Sequence, residues 1–309
     1  MFSVIFPGQG SQNIGMGREL YENFDYVKDY FKEADEVLNK NLSQIIFSGP
    51  KNQLDLTENT QPAVFLISYS IFKVIEKETN FKIKDAKYFA GHSLGEYTAL
   101  CCADSINFTQ TIKLLKYRGK AMQDAVPSGE GSMVAVLGIE INDINRILRE
   151  NIKTFLCYVA NDNSNGQIVI SGKTRDLDKL CKELKNKNIK FVKLSVSAPF
   201  HCPLMRKATE EMKQRILDTD FKKPVIEIFS NVTAKTANNP NDIKKLLIDQ
   251  IEKPVRWRET IVNMIESRIN NFIEIGPGKV LSGLIRRIDK NVILKQVNNI
   301  NDAKLLKND

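Results

Sequence analysis

The fold is decided by the stretch Tyr88-Phe89-Ala90-Gly91-His92-Ser93-Leu94-Gly95. Its first three residues are an apolar run typical of a buried strand, and a helix is expected to begin after Ser93. The pattern G-x-S-x-G between a strand and a helix is the nucleophile elbow, a sharp turn that exposes the serine hydroxyl at the end of the strand. Small residues at positions 91 and 95 let the strand and the helix come close. The stretch therefore predicts an α/β fold with Ser93 as a nucleophile, although the same pattern also occurs by chance around ordinary turn serines.

Short apolar runs alternate with helical periodicities through the rest of the chain. This is the pattern of an α/β protein with a largely parallel sheet. The predicted elements are, in chain order, a strand at 4–6, one amphipathic helix over 20–38, a helix that has Pro62 in its first turn and ends at 75, a helix capped by Thr109 that carries Arg118 and Met122, an Asn-rich loop at 237–242, and a helical apolar face over 243–251.

A second unit with its own rhythm is predicted between about residues 126 and 197. Its elements are, in order, a strand at 132–137, a helix at 143–150, strands at 155–159 and 167–170 around a loop rich in Asn, Asp and Gly, a helix at 177–184 and a strand at 191–196. The order βαββαβ is that of the ferredoxin-like unit. We therefore expect a ferredoxin-like small domain at 127–197. It is inserted into a large, α/β-hydrolase-like domain with a parallel sheet, which comprises 1–126 and 198–309.

The composition of the chain argues against several classes of protein. Its 309 residues are 42% hydrophobic and 27% charged, as in a soluble globular protein, and no apolar run reaches the roughly 18 residues that span a bilayer. The first residues lack the basic segment and cleavage site of a secretory signal, so a cytoplasmic protein is expected. The five cysteines include a vicinal pair and no CxxC spacing, which argues against disulfides and a zinc site. We expect reduced thiols, no metal and no cofactor.

The net charge of +8 invites a nucleic-acid-binding interpretation. The lysines are spread along the chain among many asparagines and isoleucines, with no dense Lys/Arg block and no helix-turn-helix or zinc pattern. A general bias toward Lys, Asn and Ile is the simpler explanation. We therefore predict no nucleic-acid partner and no membrane partner, but a basic surface would still attract acidic proteins and anionic ligands.

A serine nucleophile needs a base, and the chain has only two histidines, His92 and His201. The side chain of His92 should point away from that of its neighbour Ser93. His201 lies in a loop-like segment, residues 197–203, and is therefore the candidate base, although a lone histidine is more often a surface or hydrogen-bonded core residue. Cys202 is an alternative nucleophile, but a buried bystander thiol explains it better.

A set of motifs spread over the chain resembles one family. The motifs are Pro7-Gly8-Gln9-Gly10-Ser11-Gln12, the elbow followed by Glu96, Arg118-Gly119, Asn161 to Gln167, His201, Gln250 to Trp257, and Glu274-Ile275-Gly276-Pro277-Gly278-Lys279. Together and in this order they are similar to the bacterial-type malonyl-CoA:acyl carrier protein transacylases of type II fatty acid synthesis. The resemblance covers essentially the whole chain, and the inserted ferredoxin-like domain agrees with that family's fold.

The resemblance implies catalytic roles for the matched residues. Ser93 would accept the acyl group, and His201 would be its general base. The backbone carbonyl of Gln250 would orient the histidine, a role that an acidic residue fills in ordinary hydrolases. The backbone amides of Gln9 and Leu94 would form the oxyanion hole.

The resemblance also implies how a malonyl group is held. Arg118 would bind its free carboxylate, because a guanidinium fork donates two parallel hydrogen bonds to a carboxylate. Asn163 and Met122 are assigned to the same cleft. Phe200 stands where many bacterial members carry a small residue, and in related polyketide acyltransferases a phenylalanine there accompanies malonyl rather than methylmalonyl selection. Without the resemblance, Arg118 is equally a solvated helix residue, Gln250 the end of a helix and Phe200 a core residue.

The expected reaction is ping-pong transfer of malonyl from coenzyme A, a substrate rather than a cofactor, through an ester on Ser93 to the phosphopantetheine thiol of an acidic acyl carrier protein. Family members commonly act as monomers, so a monomer is expected. The first alternative is an α/β serine hydrolase. It requires an acidic residue between nucleophile and histidine and a histidine near the C-terminus, whereas more than a hundred residues follow His201. The second is a carrier-protein-binding module with a degenerate site, and the joint presence of Ser93, His201 and Arg118 argues against it.

Overall fold

The computed structural model describes residues 1–196 and 198–307, which form ten strands, fourteen α-helices and two short 3₁₀ helices. The strands are β1 (Phe2–Phe6), β2 (Tyr88–Gly91), β3 (Gly131–Leu137), β4 (Cys157–Ser164), β5 (Gln167–Lys173), β6 (Lys190–Lys193), β7 (Glu227–Phe229), β8 (Thr236–Ala237), β9 (Asn271–Ile275) and β10 (Ile293–Val297). The helices are α1 (Arg18–Asn23), α2 (Asp25–Leu38), α3 (Leu42–Ser48), α4 (Lys51–Leu54), α5 (Thr57–Glu78), α6 (Leu94–Cys102), α7 (Phe108–Asp124), α8 (Ile141–Glu150), α9 (Thr174–Asn186), α10 (Arg206–Asp218), α11 (Pro240–Gln250), α12 (Trp257–Glu266), α13 (Val280–Ile288) and α14 (Ile300–Lys304).

The larger sheet has six strands in the order β10-β9-β1-β2-β7-β8. All its pairs are parallel except the edge pair β7–β8. In the central strand β1, Val4 and Phe6 pack into one hydrophobic cluster with α5, whereas Ile5 packs into another with α12 and α13. Both faces of the sheet are therefore covered, which is why β1 is a continuous apolar run. The prediction of an α/β fold with a parallel sheet is confirmed.

The smaller sheet is antiparallel, with its strands in the order β4-β5-β3-β6. The chain passes through β3, α8, β4, β5, α9 and β6 in turn, so the elements follow the predicted order βαββαβ. The buried residues of α8 and α9 form a hydrophobic cluster with one face of this sheet. The last strand is shorter than predicted and ends at residue 193. Ser197, the predicted last residue of the unit, lies outside the described residues.

Strand β4 is longer and more polar than predicted. The loop expected between residues 159 and 167 is wrong, because β4 continues to Ser164 and leaves only a turn at Asn165-Gly166. Asn and Asp disfavour strands mainly when their side chains lack partners, and tertiary contacts override that preference. Here Asp162 accepts two bonds from Arg258 Nε, at 3.0 and 3.1 Å.

The same strand joins the two sheets. The Val255 N–H donates to the Ala160 carbonyl at 2.8 Å, and the Asp162 N–H donates to the Val255 carbonyl at 3.0 Å. Residue 255 thereby adds a parallel bridge beside Asn161 at the edge of the small sheet. The polar end of β4 is fixed against the segment that leads into α12, on the large-sheet side of the molecule.

Two helix predictions before the elbow are wrong in their boundaries. The helix predicted over 20–38 breaks at Phe24, whose backbone is extended. Just before the break, Asn23 Nδ2 donates to the Glu19 carbonyl at 2.8 Å. α5 begins at Thr57, so Pro62 lies inside the helix rather than in its first turn. The added turn is held from outside, because the Thr57 N–H donates to a glutamine side chain of α7 at 3.0 Å.

Two predictions after the elbow are also wrong. Asn107, not Thr109, caps α7, since its Oδ1 accepts the N–H three residues on at 2.8 Å, and the Thr109 hydroxyl instead donates to a glutamate of α2. The segment 237–242 is not only a loop. α11 begins in it at Pro240, with Asn239 as the N-cap. An Asn-Pro pair is a sequence signal for the start of a helix, so this helix start could have been predicted.

Two glycines set the distance between the elbow and the central strand. A Cβ on Gly91 would lie 1.9 Å from the Gly95 carbonyl carbon, and a Cβ on Gly95 would lie 2.3 Å from the Phe6 carbonyl oxygen. Both close contacts involve backbone atoms, which cannot relieve a clash by changing rotamer as a side chain can. Gly283, inside α13, is the opposite case, because a Cβ there would meet nothing within 4 Å.

We expect Gly95→Ala to destabilise the protein and Gly283→Ala to stabilise it. The first forces a methyl group into backbone and should lower the free energy of unfolding by at least about 1–3 kcal/mol. The second removes the conformational cost of a helical glycine and should raise that free energy by about 0.5–1 kcal/mol. Urea unfolding followed by circular dichroism measures both. Equal effects of the two substitutions would contradict the contact described at Gly95.

Candidate active site

Ser93 lies at the sharp turn between β2 and α6. Its backbone has φ 54° and ψ −106°, a conformation that residues with a Cβ rarely adopt. Asn231 holds the turn from two sides. Its Oδ1 accepts from the Ser93 N–H at 2.7 Å, and its Nδ2 donates to the Gly91 carbonyl at 2.7 Å. The strain at Ser93 is thus maintained by a side chain 138 residues away in the sequence.

His201 faces the Ser93 hydroxyl. Its Nε2 lies 2.9 Å from Ser93 Oγ, and its Nδ1 lies 2.8 Å from the backbone oxygen of Gln250. Because a carbonyl oxygen only accepts, Nδ1 carries the proton and Nε2 presents its lone pair to the serine hydroxyl. Gln250 is the last residue of α11, so its carbonyl is one of those that a helix leaves without an intrahelical partner. The three residues form a continuous chain of hydrogen bonds.

The environment keeps His201 neutral. Burial of the ring, followed by the positive charge of Arg118, lowers the pKa of His201 from 6.5 to about 3, against the opposing effect of the Gln250 carbonyl. The imidazole is therefore an unprotonated acceptor over the whole neutral range. A group in this state can take a proton from Ser93.

Arg118 is the buried cation of the site, with 1% of its surface exposed. Its Nη2 donates to Ser93 Oγ at 3.0 Å and to Gln250 Oε1 at 2.8 Å, and its Nη1 donates to Gln61 Oε1 at 2.8 Å. Its Nε, also buried, has no hydrogen-bond partner among the residues that the structure describes. Burial lowers the pKa of Arg118, but a guanidinium stays charged at neutral pH. A charged group with an unused N–H thus adjoins the nucleophile.

The side chain of Gln250 connects Arg118 to the elbow. Its Nε2 donates to Glu96 Oε2 at 2.7 Å and to the Ser93 carbonyl at 3.1 Å, while its Oε1 receives the bond from Arg118. Glu96 also accepts the Asn231 N–H at 3.1 Å. Burial raises the pKa of Glu96 to about 7, although these N–H donors and Arg118 act in the opposite direction.

Gln9 and Leu94, the predicted oxyanion-hole residues, line the same cavity as Ser93. Leu94 is the first residue of α6, so its N–H has no acceptor within the helix. Gln9 follows β1, and its side-chain Nε2 donates to Thr57 Oγ1 at 3.5 Å. Amides in these positions suit the oxygen of an attacked carbonyl group.

One cavity of about 230 Å³ brings the predicted residues together. Its lining includes Gln9, Ser93, Leu94, Arg118, Met122, Asn163, Phe200 and His201. Gln250 lies behind this wall and contacts Ser93, Arg118 and His201. Phe200 is 7% exposed, so it packs in the core and also narrows the cavity. Asn163 Oδ1 lies 2.8 Å from His92 Nε2, which holds that second histidine away from Ser93 Oγ.

Sequence reasoning missed three polar residues of the site: Gln61, Glu96 and Asn231. Gln61 is a buried amide in the apolar body of α5, and Glu96 is a buried carboxyl directly after the elbow. Polar residues in otherwise apolar segments are a usable signal for both, because buried polar groups need partners. Asn231 has no such signal, since its partners at the elbow are far away in the sequence.

Cys202 has the environment of a buried bystander thiol. Its thiol is buried and donates to the Pro199 carbonyl at 3.1 Å, and burial raises its pKa to about 12. The five cysteines are all buried free thiols. Within residues 1–196 and 198–307, no group of three or more His, Cys, Asp or Glu side chains is arranged to hold a metal ion. None of the described helices is long and apolar enough to cross a membrane.

The chain is similar to known proteins over nearly its whole length. The family described as "Acyl transferase domain" matches residues 3–307. The malonyl CoA-acyl carrier protein transacylase of Bacillus subtilis (strain 168) is 41% identical over 291 residues, which are 93% of this chain and 90% of that protein. The crystal structure of an acyl-carrier-protein-S-malonyltransferase from Bartonella henselae superposes with a TM-score of 0.94 at 41% identity, covering 98% of this chain and 96% of that one. A malonyl-transacylase solved in complex with its type II PKS acyl-carrier protein gives 0.93 at 36% identity, covering 98% and 97%.

We expect Ser93 to remain reactive well below pH 6.5. Because the pKa of His201 is lowered to about 3, the base should stay neutral as the pH falls through the range in which an ordinary histidine is protonated. The second-order rate of inactivation by phenylmethylsulfonyl fluoride, an uncharged reagent, should therefore stay level from pH 8 to about pH 5 while circular dichroism shows an intact fold. The control is the same pH profile measured on the Glu96→Gln variant. This variant lacks the carboxyl group whose pKa is about 7. A midpoint near 6.5 that persists in this variant would contradict the assignment.

Proposed function

This chain belongs to the acyl transferase domain family and, within it, to the malonyl CoA-acyl carrier protein transacylases, and on this basis we propose that it moves malonyl from coenzyme A to the phosphopantetheine thiol of an acyl carrier protein. One observation carries the proposal. Ser93 Oγ lies 2.9 Å from a neutral imidazole, His201, and 3.0 Å from a guanidinium, Arg118. A nucleophile beside a cation suits an acyl group that has its own carboxylate, as malonyl has. Such an enzyme supplies malonyl units for fatty acid elongation.

The first half-reaction loads the enzyme. Ser93 Oγ attacks the thioester carbonyl of malonyl-CoA while its proton passes to His201 Nε2. The backbone amides of Gln9 and Leu94 donate to the carbonyl oxygen while it carries negative charge. The C–S bond then breaks, and coenzyme A leaves with the proton from His201 on its sulfur. The Gln250 carbonyl, at the negative end of α11, stabilises the imidazolium that exists between these two transfers.

Arg118 holds the malonyl carboxylate in this mechanism. Its Nε–H is unused among the described residues, and Nη2 is released from Ser93 Oγ once that oxygen is acylated. The two donors form the side-on fork that a carboxylate accepts in two parallel bonds. Gln61 and Gln250 position the guanidinium through neutral amide oxygens, so its charge remains available to the substrate.

Three further residues shape the acyl end of the cavity. Met122 and Asn163 both line it, Met122 one helical turn after Arg118 on α7 and Asn163 beside His92. Phe200 precedes the base, and its ring crowds the position of an α-methyl group. This arrangement favours malonyl over methylmalonyl.

The second half-reaction transfers the acyl group. The carrier thiol gives its proton to His201 and attacks the malonyl ester, and Ser93 recovers a proton as its C–O bond breaks. Water must not take the place of the thiol, because the enzyme would then be a thioesterase. Fixing the ester through Arg118 keeps it where His201 activates the incoming thiol rather than a stray water molecule.

The remaining properties follow from the same proposal. The chain acts as a monomer in the cytoplasm, needs no cofactor, and meets an acidic carrier protein through its basic surface, consistent with its net charge of +8. Its antiparallel sheet is a ferredoxin-like domain inserted into an α/β-hydrolase-like domain. The strand order β4-β5-β3-β6 supports the first description, and the strand, serine turn and helix of the elbow support the second.

A serine hydrolase is the alternative function, because it uses the same elbow. In such an enzyme an acidic residue orients the histidine, whereas the Gln250 carbonyl contacts His201 here. An uncharged ester also offers no carboxylate for the buried guanidinium beside the nucleophile to bind. The two functions differ in whether water or a thiol removes the acyl group from the enzyme.

Ser93→Ala should abolish loading by radiolabelled malonyl-CoA. The wild-type protein should take up close to one equivalent of label as an ester, because Ser93 is the acyl acceptor. Cys202→Ala is the matched control and should load as the wild type does. Label on Ser93→Ala would remove the nucleophile assignment, and rapid release of the wild-type label by water without carrier protein would favour the hydrolase.

Arg118→Ala should depress malonyl transfer far more than acetyl transfer. Loss of two charge-assisted hydrogen bonds to the carboxylate should reduce kcat/KM for malonyl-CoA by about 100-fold or more, whereas acetyl-CoA has no carboxylate to lose. Arg118→Lys should recover only part of the difference, since an ammonium cannot form the fork. Equal losses toward both thioesters would contradict the proposed carboxylate contact.

A further inference from the structure

The helix α13 presents one face to the mouth of the active-site cavity. Val280 and Leu284 line the cavity, and Arg287 continues the same face, because positions i, i+4 and i+7 lie on one side of a helix. Val280 is 47% exposed, so the apolar wall of the cavity extends out to the surface at this helix. The face therefore changes from apolar to cationic with distance from Ser93.

Gly283 lies in the middle of this face. A glycine inside a helix makes the helix less stable than an alanine at the same position does. Packing among the described residues does not require it, because a Cβ at this position would meet none of their atoms within 4 Å. The elbow glycines, by contrast, are required by backbone contacts of 1.9 and 2.3 Å. The missing side chain at residue 283 leaves exposed backbone between Val280 and Leu284, two residues that line the cavity, and a molecule from outside can approach it closely.

Arg287 ends the face with an available positive charge. Its Nη1 donates to Gln167 Oε1 at 2.8 Å, and Gln167, at the start of β5, also lines the cavity. Its partner is a neutral amide, and none of the ion pairs among the described residues includes Arg287. The contact spans the mouth from the helix to the small sheet, so the charge lies at the rim rather than away from it.

From this arrangement we infer that the Val280–Arg287 face of α13 binds the phosphopantetheine arm. The inference rests on the proposed function, in which both thiol substrates, coenzyme A and the carrier protein, have that arm. The apolar and amide part of the arm lies across Gly283 between Val280 and Leu284. Its phosphate meets Arg287, which can offer a planar pair of N–H donors. One groove then serves both half-reactions.

A side chain at residue 283 should obstruct the arm without harming the fold. Leucine is a better helix former than glycine, so Gly283→Leu should unfold at no lower urea concentration than the wild type. The readout is kcat/KM for malonyl-CoA against kcat/KM for the malonyl thioester of N-acetylcysteamine, which lacks the phosphate end of the arm. We expect the preference for malonyl-CoA to fall at least tenfold in Gly283→Leu. An unchanged preference would overturn the inference.

Two arginines of α13 provide a matched pair for the phosphate. Arg287→Ala should raise the KM for malonyl-CoA about tenfold with little change in kcat, because one charge-assisted contact is lost. Arg286→Ala removes an equally exposed cation whose Nη1 contacts the Lys290 carbonyl, off the cavity face, and should leave the KM within about twofold. Equal effects of the two substitutions would assign the change to general charge and overturn the specific contact.

The phosphopantetheine arm comes from coenzyme A in the first half-reaction and from the carrier protein in the second. Measuring the two half-reactions separately therefore distinguishes the two substrates. Gly283→Leu and Arg287→Ala should impair both loading from malonyl-CoA and transfer from preloaded enzyme to holo carrier protein. Impaired loading with normal transfer would show a groove for coenzyme A alone and would overturn the shared groove. The wild-type protein is measured first, since failure of the wild type to load malonyl would contradict the proposed function rather than the groove.

Discussion

The hydrogen bonds of Gln250 are the interaction on which the site depends. Its backbone oxygen faces His201, its side-chain oxygen receives Arg118, and its side-chain nitrogen reaches the elbow and Glu96. A helix end supplies the free carbonyl, and an amide side chain supplies both a donor and an acceptor at one place. An aspartate there could orient the histidine, but it would form an ion pair with Arg118 and offset the charge that the proposed mechanism reserves for the malonyl carboxylate. The amide lets His201 and Arg118, the proposed base and the proposed carboxylate-binding cation, both hydrogen-bond to one residue.

Much of the candidate site is predictable from sequence because it depends on residues that are close together in the chain. The strand, the two glycines and the helix around Ser93 are contiguous, and the steric demand at residues 91 and 95 explains why both are glycine. The base could be chosen because histidine is scarce in the chain. The contact of the Gln250 carbonyl with His201 was expected only from the family resemblance, and the structure brings these two residues to 2.8 Å.

What could not be predicted depends on contacts between distant parts of the chain. Asn231 holds the turn at Ser93 from a loop 138 residues away, and no local pattern indicates this. Strand β4 runs through Asp162 and Asn163, residues that disfavour strands, because Arg258 and His92 provide their partners. The start of α5 at Thr57 depends on a side-chain hydrogen bond from α7, and the helix over 20–38 breaks where the backbone of Phe24 is extended; periodicity records neither feature.

The large and small sheets contribute different kinds of residue to the cavity. Ser93, His201, Arg118 and Gln250 all belong to segments of the large sheet and its helices, whereas Met133, Ala135 and Val169, from β3 and β5, wall the cavity from the small sheet. Substitutions on those small-sheet strands can change the volume of the cavity without removing a proton donor or acceptor. Selection for a new substrate can therefore act on one sheet while bond making and breaking are conserved on the other. The shape of the cavity and the hydrogen-bond chain of the site are therefore encoded in separate parts of the sequence.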